Sequence, residues 1–244
     1  MRLRPSERAP QDFPRSLERP APLRDRVYET LEELIIYGAL APGQHLVEAD
    51  IAKQLGVSRI PVREGLQLLA RDGWIDLRPR QGAFVHQPEM HEVDDVFSVR
   101  TLLEVESTRL AACKATDDSI QALRKIQRTG SEALAGADER ELVMLNSQFH
   151  ARITRIGEND VLAELIARLD KRIRWYFAPV VKSRGSSSWK EHLEIVEAIA
   201  ARDPKRASEA MRRHAEATRS AFFLEENGGS PKEDQQNPGP SPSP

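Results

Sequence analysis

The chain has 244 residues, of which 39% are hydrophobic and 30% charged, and its formal net charge is −2. The length predicts two domains, each with its own core, and the composition is typical of a soluble globular protein. No apolar run is long enough to cross a bilayer, and the N-terminus lacks the apolar segment of a secretory signal, so we expect no membrane association. The single cysteine, Cys113, excludes an intramolecular disulfide and favours a cytoplasmic location.

Both ends of the chain are predicted to be disordered. Residues 1–22 are rich in arginine and proline without helical periodicity, and residues 226–244 are rich in glycine, proline and serine. Neither segment carries enough apolar surface to offset the entropy of ordering it. The folded part is therefore expected to consist of one domain at 23–87 and a second at 88–225.

The first domain is predicted to hold three helices and a β-hairpin. Glycines 38, 56 and 73 end the helical patterns, and Ser58 is placed to cap the third helix, with Pro61 in its first turn. The predicted elements are helices at 23–37, 48–55 and 59–72 and strands at 74–78 and 83–86. This order is that of a winged helix-turn-helix.

The second domain is predicted to be entirely helical, so the fold class is mainly α. Asp138 with Glu141, and Ser188 with Glu191, match the pattern of a capping box, and Asp203 precedes a proline at the first helical position. The predicted helices are 90–115, 117–135, 139–156, 160–182, 189–202 and 204–223.

The third helix of the first domain is expected to enter the major groove of double-stranded DNA with its N-terminal end first. Arg59 and Arg63 are four residues apart and share one face, and arginine suits both guanine edges and phosphates. The segment from Lys53 to Arg80 has six basic and three acidic residues, although the whole chain is not basic. The predicted DNA-contacting residues are Ser58, Arg59, Ile60, Arg63, Arg78, Arg80 and Gly82.

Residues 45–85, in particular LVEADIAKQLGVSRIPVREGLQLLARDGWIDLRPRQGAFV, resemble the winged helix of the GntR family of regulators. The resemblance implies that Arg59 and Arg63 contact DNA and that Gly82 lies at the tip of the wing. Two positions depart from the family pattern: Ile60 replaces a common threonine, and Gly65 replaces a common alanine. An exposed glycine at position 65 would cost the helix up to ~1 kcal/mol.

Three histidines lie on the apolar faces of predicted helices, at positions 150, 192 and 214. If the last two helices form an antiparallel hairpin, His192 and His214 each lie ~15 Å from the connecting turn, at the same level. Asn146 precedes His150 by one turn. Three converging imidazoles would suit a divalent metal such as zinc, with nickel or manganese as alternatives. They could instead be core histidines bonded to the backbone or to each other. The remaining histidines, at positions 45, 86 and 91, fall in or near predicted loops and are given no role.

Residues 90–223 resemble the FCD ligand-sensing domain of the FadR-like branch of the same family. The resemblance rests on VRTLLEVESTRLAA at 99–112, NSQFH at 146–150 and EHLEIVEAIAARDPKRASEAMRRH at 191–214. It implies that Asn146, His150, His192 and His214 hold a metal. Aspartate is more usual than asparagine at position 146, and an amide is a poorer ligand than a carboxylate, so the histidines could do most of the binding.

Arg100 shares a face with apolar residues and therefore needs an anionic partner. Glu104, one turn later, is one candidate, and the carboxylate of a bound ligand is the other. In the resembled domain the matching arginine often meets the effector, so we expect a small carboxylate effector to bridge Arg100 and the metal. Arg174, Trp175 and Tyr176 could shape the same pocket, although an aromatic stretch on such a helix is more often plain core.

These patterns together predict a homodimeric transcriptional regulator that binds a palindromic operator and responds to the effector. Repression is the favoured direction of control, with activation as the alternative. One alternative is a hydrolase that uses the histidine-bound metal, which would need a general base near the histidines. The sequence offers no clear carboxylate there and no nucleophile elbow or phosphate-binding loop, so we expect the chain not to be an enzyme. Another alternative is a DNA-packaging protein without a ligand, which the inward Arg100 and histidines disfavour.

Overall fold

The computed structural model describes residues 21–136 and 138–228. The predicted tails lie outside these residues except at 21–22 and 226–228. Within the described residues the chain forms two compact units: the first comprises residues up to 32 and 45–84, and the second comprises residues 33–44 and those from 85 onward.

The first unit contains the predicted helices and a small sheet. Its helices are α1 (Leu23–Ile36, shared with the second unit), α2 (Glu48–Leu55) and α3 (Arg59–Arg71), and its strands are β1 (His45–Leu46), β2 (Ile75–Arg78) and β3 (Gly82–Val85). The strand order is β1-β3-β2, with His45 opposite Phe84 and Leu46 opposite Ala83 in antiparallel register. The predicted two-stranded hairpin is therefore a three-stranded sheet. Two residues are too few to show the alternation that identifies a strand in sequence.

Glycine has two distinct uses in the helix-turn-helix. Gly56 ends α2 in the left-handed conformation, at φ +66°, which non-glycine residues rarely adopt. Gly65 in α3 is buried against α1. A Cβ at position 65 would stand 2.9 Å from Cγ1 of Val27 and 3.3 Å from the carbonyl oxygen of Arg24. The glycine at position 65 therefore allows α3 to pack closely against α1.

Ser58 occupies the N-cap of α3 in an extended conformation, but its side chain makes no capping hydrogen bond. The prediction that Ser58 caps the helix is wrong in this respect. A capping oxygen accepts from the backbone N–H of the second or third helical residue, and the third is Pro61, which has none. The Ser58 hydroxyl is left exposed at the start of α3.

The second unit consists of long helices. They are α4 (Met90–Lys114), α5 (Asp117–Ala133), α6 (Glu139–Ile156), α7 (Asp160–Phe177), a 3₁₀ turn (Ala178–Val180), α8 (Val181–Ala200) and α9 (Pro204–Gly228). Two predicted caps are present, since Asp138 accepts from the N–H of Glu141 at 2.8 Å and Asp203 accepts from that of Arg206 at 3.0 Å. Helix α4 packs against α6, α7, α8 and α9.

The predicted boundary between the helices at 160–182 and 189–202 is wrong. Helix α7 stops at Phe177, and α8 already begins at Val181, so Ser188 lies inside a helix and is buried rather than acting as a cap. Tertiary packing outweighs local preference here. A Cβ on Gly185 would stand 2.7 Å from Leu134, which shows how closely this part of α8 packs.

The core of the second unit lies between α5, α6, α8 and α9. Phe149, Ile153, Ile195, Ile199 and Met211 are among its largest side chains, and all are at most 1% exposed. Burial of each contributes ~1.5–3 kcal/mol. No helix among the described residues is both long and apolar enough to span a membrane.

Candidate DNA-binding surface and metal centre

All seven residues predicted to contact DNA are solvent-exposed, as such contacts require. Ser58, Arg59 and Ile60 open α3, and the Ile60 side chain is 70% exposed, so it is accessible to a partner at the start of this helix. The turn between β2 and β3 carries Arg80 and Gly82, both with positive φ, at +64° and +102°. The structure thus places the predicted residues at the start of α3 and on the wing.

Arg63 is not a free guanidinium. Its Nε donates to Glu48 Oε1 at 2.9 Å and its Nη2 donates to Glu48 Oε2 at 2.8 Å, so the two side chains form a bidentate pair. The hydrogen bond from Arg63 lowers the pKa of Glu48. Sequence reasoning missed Glu48, whose only sequence signal is its position at the start of the supporting helix α2.

Three buried imidazoles meet inside the second unit, from α6, α8 and α9. His150, His192 and His214 are 5%, 0% and 1% exposed, and one potential ligand atom from each lies within 4.8 Å of the other two. His192 Nε2 and His214 Nε2 are 3.3 Å apart. Two nitrogens bound ~2.1 Å from one tetrahedral ion would lie about 3.4 Å apart, so the pair fits a metal such as zinc. The predicted matching level of His192 and His214 is confirmed.

The buried histidines of α8 and α9 are held neutral. Burial, followed by the neighbouring His214 and His150, lowers the pKa of His192 well below its usual value. Burial lowers the pKa of His214 to about 4, although its hydrogen bond to Glu191 acts in the opposite direction. Neutral imidazole is the form that binds metals, so neither ring has to lose a proton at neutral pH.

A carboxylate lies beside the Nδ1 atom of both His150 and His214. Glu191 Oε2 lies 2.8 Å from His214 Nδ1 and also accepts from Arg184 at 2.6 Å, while Glu104 Oε1 lies 3.0 Å from His150 Nδ1. The contact of Glu191 is a hydrogen bond, whereas that of Glu104 has an ion-pair distance without hydrogen-bond geometry. A proton on His214 Nδ1 leaves the lone pair of its Nε2 available to a metal. This is the carboxylate–histidine arrangement that supports metal ligands.

The expectation that no carboxylate lies near the histidines is therefore wrong. Glu104 has an i+4 spacing to Arg100 on the buried face of α4, which is a signal that sequence reasoning used only for Arg100. Burial would raise the pKa of Glu104, but Arg100 and His150 outweigh this effect and lower it to about 2. The Glu104 carboxylate is therefore ionised. Its Oε1 is paired with Arg100 and His150, whereas its buried Oε2 has no hydrogen-bond partner among the described residues.

Arg100 is 1% exposed and lies beside the histidines. Its Nε donates to Glu104 Oε1 at 3.1 Å, and its Nη2 lies 3.3 Å from His150 Nε2. Among the described residues Arg100 Nη1 has no hydrogen-bond partner, and the same holds for the buried Oδ1 of Asn146. A buried donor and a buried acceptor on the wall of one cavity are thus left unsatisfied, and such atoms are commonly satisfied by an ordered water, an ion or a ligand.

A cavity of about 340 Å³ adjoins this cluster. Arg100, Glu104, Asn146 and His150 form part of its wall, and Ile166, Ile173 and Phe177 supply apolar surface. An apolar cavity with a few converging polar groups is typical of a small-molecule site.

The three residues singled out near the end of α7 divide between pocket and core. Arg174 lines the cavity, with its Nε 3.0 Å from Asp170 Oδ2. Trp175 and Tyr176 are buried and do not line it. Asp170, which also accepts a hydrogen bond from Ser147, was not identified from the sequence.

Comparison with protein families matches both units. Residues 23–85 match the model described as bacterial regulatory proteins of the gntR family, and residues 95–217 match the FCD domain.

Curated relatives are transcriptional regulators. The Nta operon transcriptional regulator of Aminobacter aminovorans is 32% identical over 164 residues, covering 66% of this chain and 76% of the relative. The HTH-type transcriptional repressor RspR of Escherichia coli is 28% identical over 197 residues, covering 79% and 86%. These relatives indicate a regulator rather than an enzyme.

Solved structures share the fold. Escherichia coli McbR/YncC superposes with a TM-score of 0.71 at 21% identity, covering 85% of this chain and all of that one. A GntR transcriptional regulator from Rhodococcus sp. RHA1 superposes with a TM-score of 0.69 at 22% identity, covering 82% and 97%. With both family models and a relative above 30% identity in agreement, the chain belongs to the GntR family of bacterial transcriptional regulators and carries an FCD domain after its DNA-binding winged helix.

Proposed function

We propose that this regulator is a cytoplasmic homodimeric repressor whose affinity for a palindromic operator changes when a small carboxylate binds beside a metal in the FCD domain. The observation that carries this proposal is the coincidence of three buried imidazoles, an unsatisfied Arg100 donor and a cavity of about 340 Å³. The repressor RspR among the relatives supports repression as the direction of control.

The proposed DNA contacts come from α3 and the wing. The start of α3 would lie in the major groove, and the wing turn would approach the backbone. Exposure and positive charge support this assignment. The proposed residues are Ser58, Arg59, Ile60, Arg63, Arg78, Arg80 and Gly82.

The proposed metal ligands are His150, His192 and His214, with Asn146 as an additional oxygen donor. Nitrogen donors favour zinc, with nickel and manganese as alternatives. The ion would supply a fixed positive charge that attracts an anionic group to the cavity. The Asn146 Oδ1, which has no hydrogen-bond partner among the described residues, and the carboxylate of Glu191 on His214 Nδ1 support this donor set.

Arg100 is the proposed anchor for the effector. Its unsatisfied Nη1 could donate to a carboxylate, since guanidinium binds such groups strongly and with defined geometry. The apolar wall at Ile166, Ile173 and Phe177 would receive the remainder of the molecule. The cavity volume limits the effector to a small molecule.

Elemental analysis of the purified, untagged chain and of a His192→Ala variant tests the metal first. We expect near-stoichiometric zinc, nickel or manganese in the parent chain and loss of most of it in the variant. A parent chain that retains no metal and takes up none from zinc, nickel or manganese salts would contradict the metal assignment.

Fluorescence anisotropy tests the response to the effector. The probe is a labelled duplex of about 30 base pairs selected from a random library with the parent chain. Acetate, lactate, fumarate and citrate are added in turn, and Arg100→Lys serves as the comparison variant. A carboxylate that changes DNA affinity only in the parent chain supports the proposal, whereas an equal response in Arg100→Lys would contradict the assignment of Arg100.

A further inference from the structure

His45 lies on the exposed face of the wing sheet, at the start of β1. Its ring stacks on Phe84 of β3, with ring centroids 4.7 Å apart and an interplanar angle of 24°. The guanidinium carbon of Arg78 in β2 lies 4.4 Å from the centroid of the same Phe84 ring. Because β3 lies between β1 and β2, the imidazole, the phenyl ring and the guanidinium form a row across the sheet.

The His45 imidazole also lies beside the turn of the wing. A Cβ on Gly82 would stand 2.8 Å from His45 Nε2, so the glycine leaves the space that this nitrogen occupies. Within the described residues no hydrogen bond or ion pair involves a ring nitrogen of His45, and the residue is exposed. The stack on Phe84 thus holds a nitrogen with unused hydrogen-bonding capacity next to the wing backbone.

The surroundings of His45 favour an anion. A surface cavity of about 590 Å³ between α3 and the wing is lined by His45 together with Arg63, Arg78, Arg80 and Gly82. Glu48 also lines it, but both of its oxygens accept hydrogen bonds from Arg63. Apart from the paired Glu48, the charged side chains that line this cavity with His45 are all cationic, as in a surface that follows a phosphate chain.

We propose that His45 donates a hydrogen bond to a DNA backbone phosphate beside the wing and so belongs to the DNA-binding surface. This inference rests on the proposed use of α3 and the wing for DNA binding. A phosphate contact fixes the position of the protein on the duplex without reading sequence. Sequence reasoning gave His45 no role because the two-residue strand that positions it has no detectable pattern.

His45→Phe is the informative substitution, because phenylalanine keeps an aromatic ring on Phe84 but removes the donor. Affinity is measured by anisotropy with the full chain on two labelled duplexes of about 30 base pairs, one selected with the parent chain and one of unrelated sequence. His45→Gln restores an N–H donor. His91→Phe is the control, since His91 is an exposed histidine outside the wing. Circular dichroism melting checks that each variant is folded.

We expect His45→Phe to weaken binding to both duplexes by the same factor, about five- to twentyfold. His45→Gln should recover most of this loss, and His91→Phe should bind like the parent chain. If His45→Phe binds like the parent while Arg59→Ala does not, the role of His45 is only to pack on Phe84 and the inference is overturned. A loss confined to the selected duplex would indicate a base contact and overturn the phosphate assignment. If Arg59→Ala also has no effect, the proposed DNA-binding surface is itself wrong.

Discussion

The guanidinium of Arg63 and the carboxylate of Glu48 face each other through two parallel hydrogen bonds on the exposed side of the helix-turn-helix. The pair is solvent-exposed, with 63% and 33% of the two side chains accessible, so its contribution to folding stability is small. Its effect is to hold the arginine in one orientation. Glu48 also places a negative charge where a phosphate backbone is expected. The charge would repel DNA of any sequence, so binding would be favoured only where the oriented Arg63 makes a specific contact that offsets the repulsion.

Glu48→Gln should therefore strengthen non-specific DNA binding and weaken discrimination. We expect affinity for a duplex of unrelated sequence to rise several-fold, because one repulsive charge is removed. The slope of log affinity against log salt concentration should change by about one unit. Affinity for the selected duplex should rise less, because Arg63 is no longer held in place. The ratio of the two dissociation constants is the measurement. Glu64→Gln, an exposed acid on α3, is the control. An unchanged ratio would mean that Glu48 does not position Arg63 for DNA.

Asn146→Asp should increase metal affinity by about tenfold or more, because a carboxylate is a better ligand for a divalent ion than an amide. Competition with a chromogenic chelator measures the change. Asn159→Asp is the matched control, since Asn159 caps α7 and is not among the residues of the histidine cluster, and aspartate caps equally well. If Asn146→Asp binds metal no more tightly than the parent chain, Asn146 is not a ligand and the three histidines act alone.

Glu191→Gln should lower metal affinity by about ten- to a hundredfold, even though Glu191 is not a proposed metal ligand and acts only through its contact with His214. The amide can still accept from His214 Nδ1 or Arg184, but it no longer supplies the negative charge that makes the imidazole a better donor. The same chelator competition reports the effect. Glu194→Gln, an exposed acid on the same helix, should change nothing. Equal metal affinity in Glu191→Gln and the parent chain would show that the carboxylate has no influence on the site.

Gly130→Ala should destabilise the second unit, although alanine favours helices by up to ~1 kcal/mol. A Cβ at position 130 would stand 2.0 Å from the Trp189 ring, so the tryptophan would have to move. Overpacking of this kind costs ~1–3 kcal/mol and should exceed the gain in helix propensity. Urea unfolding followed by circular dichroism measures the difference. Arg128→Ala, exposed on the same helix, controls for propensity. A Gly130→Ala variant as stable as the parent would indicate that α5 and α8 can separate at low cost.

Helix positions in this chain could largely be predicted from sequence where the signal is local. The glycines that stop helices place the ends of α2 and α3 close to those observed, and the caps Asp138 and Asp203 place the starts of α6 and α9. The pairing of His192 with His214 followed from counting residues on either side of one turn. These features depend on a few neighbouring residues, which is why they are legible in a single sequence.

Features that depend on distant contacts could not be predicted. The first turns of α8, at Gly185, pack closely against Leu134, some fifty positions away in the chain. The carboxylates of Glu104 and Glu191 acquire their roles only when α4, α6, α8 and α9 come together. The strand β1 exists only because β3 pairs with it.

The lone pair of His150 Nε2 lies in the ring plane and can be shared with one group at a time. It faces Arg100 Nη2 at 3.3 Å. An ion bound through this lone pair would displace the contact with Nη2, which could then donate, together with Nη1, to a carboxylate in the cavity while Nε stays bonded to Glu104. By thermodynamic linkage, any factor by which the metal raises affinity for the carboxylate is also the factor by which the carboxylate raises affinity for the metal. Occupancy of the two sites would then rise together, so the concentration of the metal would set how strongly the regulator responds to the carboxylate.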